Sequence, residues 1–175
     1  MSHINVEIKA SCEDPERVRG ILESNGVDFK GIDHQVDTYF RVSNGRLKLR
    51  EGDIEQFLIH YDREDKLGPK QSNVTLFSVP PNSTLKDVLV KSLGVLVVVV
   101  KQRGIYFIDN VKFHIDQVEQ LGSFVEIEAI DVTGSIGKER LMEQCQYYLK
   151  LLGINDSHLQ AQSYSDLLLS KKVIQ

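Results

Sequence analysis

Apolar and polar residues alternate along much of this chain, and the alternation predicts strands. In Ile4–Ala10, Ile4, Val6 and Ile8 share one face while Asn5, Glu7 and Lys9 share the other. Further strands are predicted over Ile32–Arg41, Arg46–Arg50, Phe57–Arg63 and Asn73–Val79. Asn44-Gly45 supplies a tight hairpin turn, and Pro80-Pro81 ends the fifth strand. Glu64–Ser72, with Gly68-Pro69 inside it, reads as a polar loop. Three more strands fill Val95–Ile130, which opens on a run of valines. Helices interrupt the pattern. Asp14-Pro15 reads as N-cap and first residue of one that Gly26 stops. Ser83 or Thr84 caps a second that ends near Gly94; Ser135–Leu152 is amphipathic and stops at Gly153; a short helix follows around Tyr164–Leu169.

The polar faces of these strands are charged. Arg46, Lys48 and Arg50 share a face, as do Lys101 with Arg103, His114 with Asp116, and Glu126 with Glu128. The opposite faces are apolar: Phe113 and Ile115, then Val125, Ile127 and Ala129. On a single strand such a pattern reads as a solvated face. Its recurrence on the first, third, sixth, seventh and eighth strands, with both signs of charge, predicts a sheet closed on itself with the charges inside. The expected fold is α+β: an eight-stranded antiparallel β-barrel with a charged interior, flanked by about four helices, in one domain over residues 1–175.

Composition narrows the function. The chain has 175 residues, 41% of them hydrophobic and 26% charged, ordinary for one soluble domain. A net charge of −4 gives no bulk attraction to nucleic acid, so no nucleic-acid partner is expected. Val95–Val100 is too short to span a membrane. Cys12 and Cys145, with no secretory leader pattern, suggest a cytoplasmic setting. Enclosed together, Lys9, Arg46, Lys48, Arg50, Arg63, Lys101 and Arg103 require an anion, and forked Arg donors with Lys point charges suit phosphate. Glu7, Asp116, Glu126 and Glu128 suit a hard divalent cation, which takes oxygen ligands. Asn5, Tyr61 and a hydrogen-bonded His114 complete the wall. The whole reads as a polyphosphate–metal site. The stretch around Gly68 lacks P-loop spacing, and no Ser-His-Asp or Cys-His nucleophile set is present.

Several short motifs resemble the CYTH superfamily of triphosphate tunnel metalloenzymes, in particular its class IV adenylyl cyclase-like branch. They are Asn5-Val6-Glu7-Ile8-Lys9, Asp37-Thr38-Tyr39-Phe40, Gly45 to Glu51, Lys101-Gln102-Arg103, Phe113 to Asp116, Leu121-Gly122, Glu126-Ile127-Glu128 and Ser163-Tyr164. The resemblance implies an eight-stranded tunnel that binds a small molecule bearing a triphosphate, with Mg²⁺ or Mn²⁺. Lys9, Arg50, Lys101 and Arg103 would hold phosphates; Glu7, Glu126 and Glu128 would hold metal, with Asp116 an additional candidate. It implies either cyclisation of ATP or hydrolysis of a triphosphate; a non-catalytic polyphosphate or nucleotide binder is the third reading. Two positions depart from the pattern. Asn5 stands where the first strand carries a glutamate, which predicts one weak metal position. The fourth strand lacks the usual lysine, a charge that Arg63 can replace. Assembly as monomer or homodimer stays open.

Overall fold

The computed structural model describes residues 1–174. The strands are β1 (Ser2–Ser11), β2 (Asp28–Phe40), β3 (Arg46–Glu51), β4 (Gln56–Arg63), β5 (Lys70–Ser78), β6 (Val95–Ile108), β7 (Val111–Val118), β8 (Gly122–Asp131) and β9 (Leu159–Gln160). The helices are α1 (Pro15–Ser24), α2 (Leu85–Leu93), α3 (Lys138–Leu151) and α4 (Tyr164–Ile174). Antiparallel pairing runs β5-β4-β3-β2-β6-β7-β8-β1, and β1 also pairs with β5, which closes the barrel. The short β9 adds to β1, with Lys9 opposite Gln160. This is the α+β barrel with flanking helices that the alternation predicted. Among the described residues no helix is long and apolar enough to cross a membrane.

The alternation is inverted because helices, not a second sheet, cover the apolar side. Val6, Ile8, Phe113 and Ile127 point out of the barrel and are buried against Val18 and Leu22 of α1 and Leu141, Cys145 and Leu149 of α3. Cys145 packs there as helix core, its thiol donating to the Val6 carbonyl at 3.1 Å. The helix starts are fixed locally. Asp14 Oδ1 accepts from the Arg17 amide at 3.1 Å, and Pro15 opens α1. Asp131, at the end of β8, accepts from the amides of Ser135, Ile136 and Gly137 at 3.1, 3.1 and 2.9 Å. Those residues are therefore spent on a turn, and α3 begins at Lys138 rather than Ser135. At α2, Thr84 holds the N-cap position, but it is Ser83 Oγ that accepts from the Leu85 amide.

Other boundaries differ for physical reasons. β2 starts at Asp28, not Ile32, because its first residues pair with the far end of β6 through an irregularity between Phe29 and Gly31. Gly31 has a φ of 129° there, which breaks the two-residue period. β5 starts at Lys70, inside the expected loop, because Lys70 pairs with Glu7 of β1. A second buried cluster lies inside the barrel and joins Tyr39, Ile59, Tyr61 and Val74 of the lumen wall to Val97 and Val99 of β6, Val118, Phe124, and Tyr164 and Leu168 of α4. Tyr164 and Leu168 bring α4 onto one end of the lumen. Removing bulk from the outer face tests the inverted packing. Ile127→Ala, at a fully buried position, is expected to cost about 2–5 kcal/mol in urea unfolding.

Candidate triphosphate tunnel

A cavity of about 240 Å³ occupies the lumen. Of the predicted cations, Lys9, Lys48, Arg50, Arg63 and Arg103 line it. Lys101 and Arg46 lie elsewhere. Lys101 shares the inward face of β6 with Arg103 but is fully buried, with Nζ 2.7 Å from Asp37 Oδ2. Arg46 sits at the α4 end, bridging Asp65 at 3.1 Å and Asp166 of α4 at 2.6 Å.

Two carboxylates hold the cationic wall in shape. Asp37 takes both arms of Arg50 at 2.9 Å, Lys101, and Lys48 at 3.1 Å. Burial alone would raise its pKa; Arg50, Lys101 and Lys48 hold it well below the usual range. Burial pushes Lys101 down to about 7 in spite of Asp37. Asp116 is the second clamp. Its oxygens receive Arg103 Nε at 2.7 Å, Arg103 Nη2 at 2.6 Å and the Tyr164 hydroxyl at 2.7 Å. The structure thus places Asp116, a metal candidate by sequence, behind Arg103 as its counter-ion, with its acceptors committed.

The remaining carboxylates face the cavity. Glu7 pairs with Arg63. Glu126 lies 3.7 Å from Lys9, 3.6 Å from Arg103 and 3.6 Å from His114 Nδ1. Glu128 stands opposite Glu7 across the β1–β8 ladder. Burial pushes Glu128 up to about 7, and nearby Glu7 and Glu126 add to the rise against Lys112. Like charges gathered around an acid with a raised pKa are a donor set suited to a cation. No three His, Cys, Asp or Glu side chains converge in metal-ligand geometry among the described residues. These carboxylates therefore fit a divalent ion that completes its shell with substrate oxygens, as Mg²⁺ usually does.

Several buried polar atoms have no partner: Asn5 Oδ1, Ser72 Oγ and both ring nitrogens of His114. His114 lines the wall as expected, but its 3.6 Å approach to Glu126 is too long for a hydrogen bond. Burial, then Arg103, pushes its pKa down to about 3, so it is neutral. Unpaired buried groups around a cavity are costly unless a ligand pairs them.

Four further charged positions belong to this network. Asp37 lies in the Asp37-Thr38-Tyr39-Phe40 motif, outside the charged faces that alternation marks. Lys112 shares the period of His114 and Asp116 and was legible. Glu55, in the β3–β4 turn, has no periodic signal; it binds Arg50 at 2.9 Å and also pairs with Lys112. Lys70 was hidden in the expected loop. Its ammonium donates to the carbonyls of Lys66, Gln160 and Ala161 at 3.2, 3.4 and 3.0 Å, and burial lowers its pKa to about 8. Lys9 likewise reaches the Gln162 carbonyl at 3.4 Å and sits 4.0 Å over the Tyr164 ring.

Residues 3–154 match the CYTH domain family model. The chain is 27% identical over 174 residues to "Putative adenylate cyclase MJ0240" of Methanocaldococcus jannaschii, covering 94% of this chain and 98% of that one. Among solved structures, the PH1012 protein of Pyrococcus horikoshii OT3 superposes with a TM-score of 0.79 at 24% identity, covering 93% of this chain and 98% of that one. A Hippeastrum protein, described as a putative adenylyl cyclase with a dominant triphosphatase activity, superposes with a TM-score of 0.59 at 15% identity, covering 98% of this chain and 96% of that one.

Glu128 gives a pH test. Its folded pKa of about 7 exceeds the ordinary 4.5, so the folded chain holds this proton more tightly than the unfolded chain. Wild-type stability from this group is full below pH 4.5 and is lost as pH rises through about 7. Glu128→Gln mimics the protonated form throughout. In EDTA its melting temperature should match wild type near pH 4.5 and exceed it by several degrees at pH 8. A gap that shrinks with rising pH contradicts the assignment.

Proposed function

This chain belongs to the CYTH domain family, and we propose that it is a divalent-metal-dependent enzyme acting on a triphosphate held in the barrel lumen. One observation carries this reading. A single cavity gathers Lys9, Lys48, Arg50, Arg63 and Arg103 beside Glu7, Glu126 and Glu128. The cations bind and align the phosphate chain, Arg50 and Arg103 as fixed forks and Lys9 and Lys48 as point charges. Glu126 and Glu128, with Glu7, would hold Mg²⁺ or Mn²⁺. When bound, the metal supplies charge neutralisation on the reacting phosphoryl group. Asn5 offers an amide oxygen where the family pattern has a carboxylate, so metal saturation requires a higher concentration.

The first reading is adenylyl cyclisation, which the name of the Methanocaldococcus relative supports. The ribose 3′ oxygen of ATP bonds to the α-phosphorus, the α–β P–O bond breaks, and pyrophosphate leaves. The second is hydrolysis, supported by the triphosphatase activity described for the Hippeastrum protein. There water bonds to the terminal phosphorus, the β–γ P–O bond breaks, the diphosphate is the leaving group, and orthophosphate is the second product. The tunnel stabilises phosphoryl charge in either case. A non-catalytic binder would keep the cations without turnover.

Product analysis separates the three. Purified protein with Mg²⁺ or Mn²⁺ and ATP should yield cyclic AMP with pyrophosphate under the first reading and orthophosphate under the second. Binding without product would mean the third. Glu126→Gln should abolish turnover while retaining binding. Lys9→Gln should weaken triphosphate affinity roughly 10- to 100-fold, the range for a hydrogen bond to a charged group. Unchanged affinity in a folded Lys9→Gln variant contradicts the phosphate role of this wall.

A further inference from the structure

Glu55 enters the cavity lining from the turn between β3 and β4, whereas Glu7, Glu126 and Glu128 enter it from strands. Its two oxygens stand between two cations of the same wall. Oε2 accepts from Arg50 Nη1 at 2.9 Å, and Oε1 pairs with the Lys112 ammonium. Burial would raise its pKa, but Arg50 and Lys112 hold it well below the usual range, so Glu55 is an anion. A phosphate oxygen placed between a guanidinium and an ammonium makes the same two contacts.

What Glu55 holds is what these two cations can offer a ligand. Asp37 takes Arg50 Nε and Nη2, so Nη1 is the nitrogen outside that clamp. Glu128 stands opposite Lys112 across the β7–β8 ladder, yet Lys112 makes its ion pair with Glu55. The turn itself is fastened. Asp33 of β2, fully buried, accepts from the amides of Ile54 and Glu55 at 2.9 and 3.0 Å. The Gln35 amide donates to Asp33 at 2.7 Å and to Glu55 Oε2 at 3.2 Å. Gly52 completes the fit, because a Cβ there would lie 2.6 Å from Asp33 Oδ2 and 2.8 Å from the Glu55 carbonyl oxygen. A buried carboxylate is a costly fastening for a hairpin turn. Its effect here is to aim Glu55 at Arg50 and Lys112.

We propose that Glu55 is a resident competitor for the ligand's anionic oxygens. Glu55 and a bound polyphosphate exclude each other at Arg50 Nη1 and Lys112, so binding exchanges one anion for another and the turn sets the affinity. The single contacts of Glu55 can be exchanged, whereas the bidentate clamp of Asp37 keeps Arg50 in place throughout. The proposal rests on the triphosphate reading of the tunnel. It is independent of whether the ligand is cyclised or hydrolysed.

Calorimetric titration of inorganic tripolyphosphate in EDTA tests it, because without metal neither turnover nor chelation intervenes. Glu55→Gln should bind roughly tenfold more tightly than wild type, the scale of one hydrogen bond to a charged group. Loss of a merely structural contact would not tighten binding. In a Lys112→Met background the same substitution should gain less than about half that factor, because one of the two released cations is gone. Glu51→Gln removes a charge from the same hairpin, one paired to exposed Lys86. It should change affinity by less than about twofold, which separates local exchange from bulk charge. Should circular dichroism show Glu55→Gln unfolded, Glu55→Asp, one methylene shorter, should gain about threefold. Equal or weaker binding by the folded Glu55 variants, a gain that Lys112→Met leaves untouched, or an equal gain in Glu51→Gln overturns the proposal while leaving the tunnel intact. Binding of tripolyphosphate to neither wild type nor any folded variant overturns the triphosphate reading, and the proposal with it.

Discussion

Cations enclosed in a barrel must have dedicated counter-charges, and the rest of this structure follows from that requirement. A buried guanidinium or ammonium loses hydration that only close, well-directed carboxylates replace. Asp37 answers for Arg50, Lys101 and Lys48, and Asp116 for Arg103. Placing these pairs inside leaves the apolar faces of β1, β7 and β8 outside. Those faces are then covered by α1 and α3, so the helices are a consequence of the charged lumen as much as a wrapping for it.

The ion pairs fall into two tiers, and the difference bears on binding. Arg50 and Arg103 are locked by bidentate contacts of 2.6–2.9 Å. Lys9 has Glu126 at 3.7 Å and a carbonyl at 3.4 Å, and Lys70 has carbonyls alone among its hydrogen-bond partners. A phosphate oxygen replaces such loose contacts at little loss, whereas displacing a bidentate carboxylate costs a strong charged pair. The arginines thus have their geometry fixed by Asp37 and Asp116, whereas the two lysines are held loosely. Preorganisation of this kind lowers the ordering cost of binding. The same lysines tether the segment before α4 through the carbonyls of Gln160, Ala161 and Gln162.

The fold was largely legible because a two-residue period survives in most strands. Val6–Ile8 against Glu7–Lys9 and Ile127 against Glu126–Glu128 state the inside and the outside without ambiguity. Legibility failed where the period breaks or where one contact outweighs local composition. Gly31 interrupts β2, and Lys70 follows Gly68-Pro69 in a segment that local turn chemistry marks as loop. β9 is two residues long and exists because β1 offers it an edge. In the site, alternation identified which charges face inward but not which partners they choose. Asp116 and Glu126 look alike in sequence; only the approach of Arg103 and Tyr164 makes one a clamp and leaves the other facing the cavity.

Periodicity reports the face of a residue, not its depth. In a flat sheet that distinction matters little. In a closed barrel, position along the strand becomes distance from the mouth, and register fixes which residues of neighbouring strands share a level. Asn5 shows the consequence. Read along β1 alone, it is a carboxylate missing from a metal-binding pattern. Read at its own level, it pairs with Ser72 and Ile130, and Ser72 pairs in turn with Arg63 on the next strand. A glutamate there would place an anion against an isoleucine and a hydroxyl, with Arg63 already paired to Glu7. The amide suits that level better on solvation grounds, because a neutral group costs less to bury than a charged one.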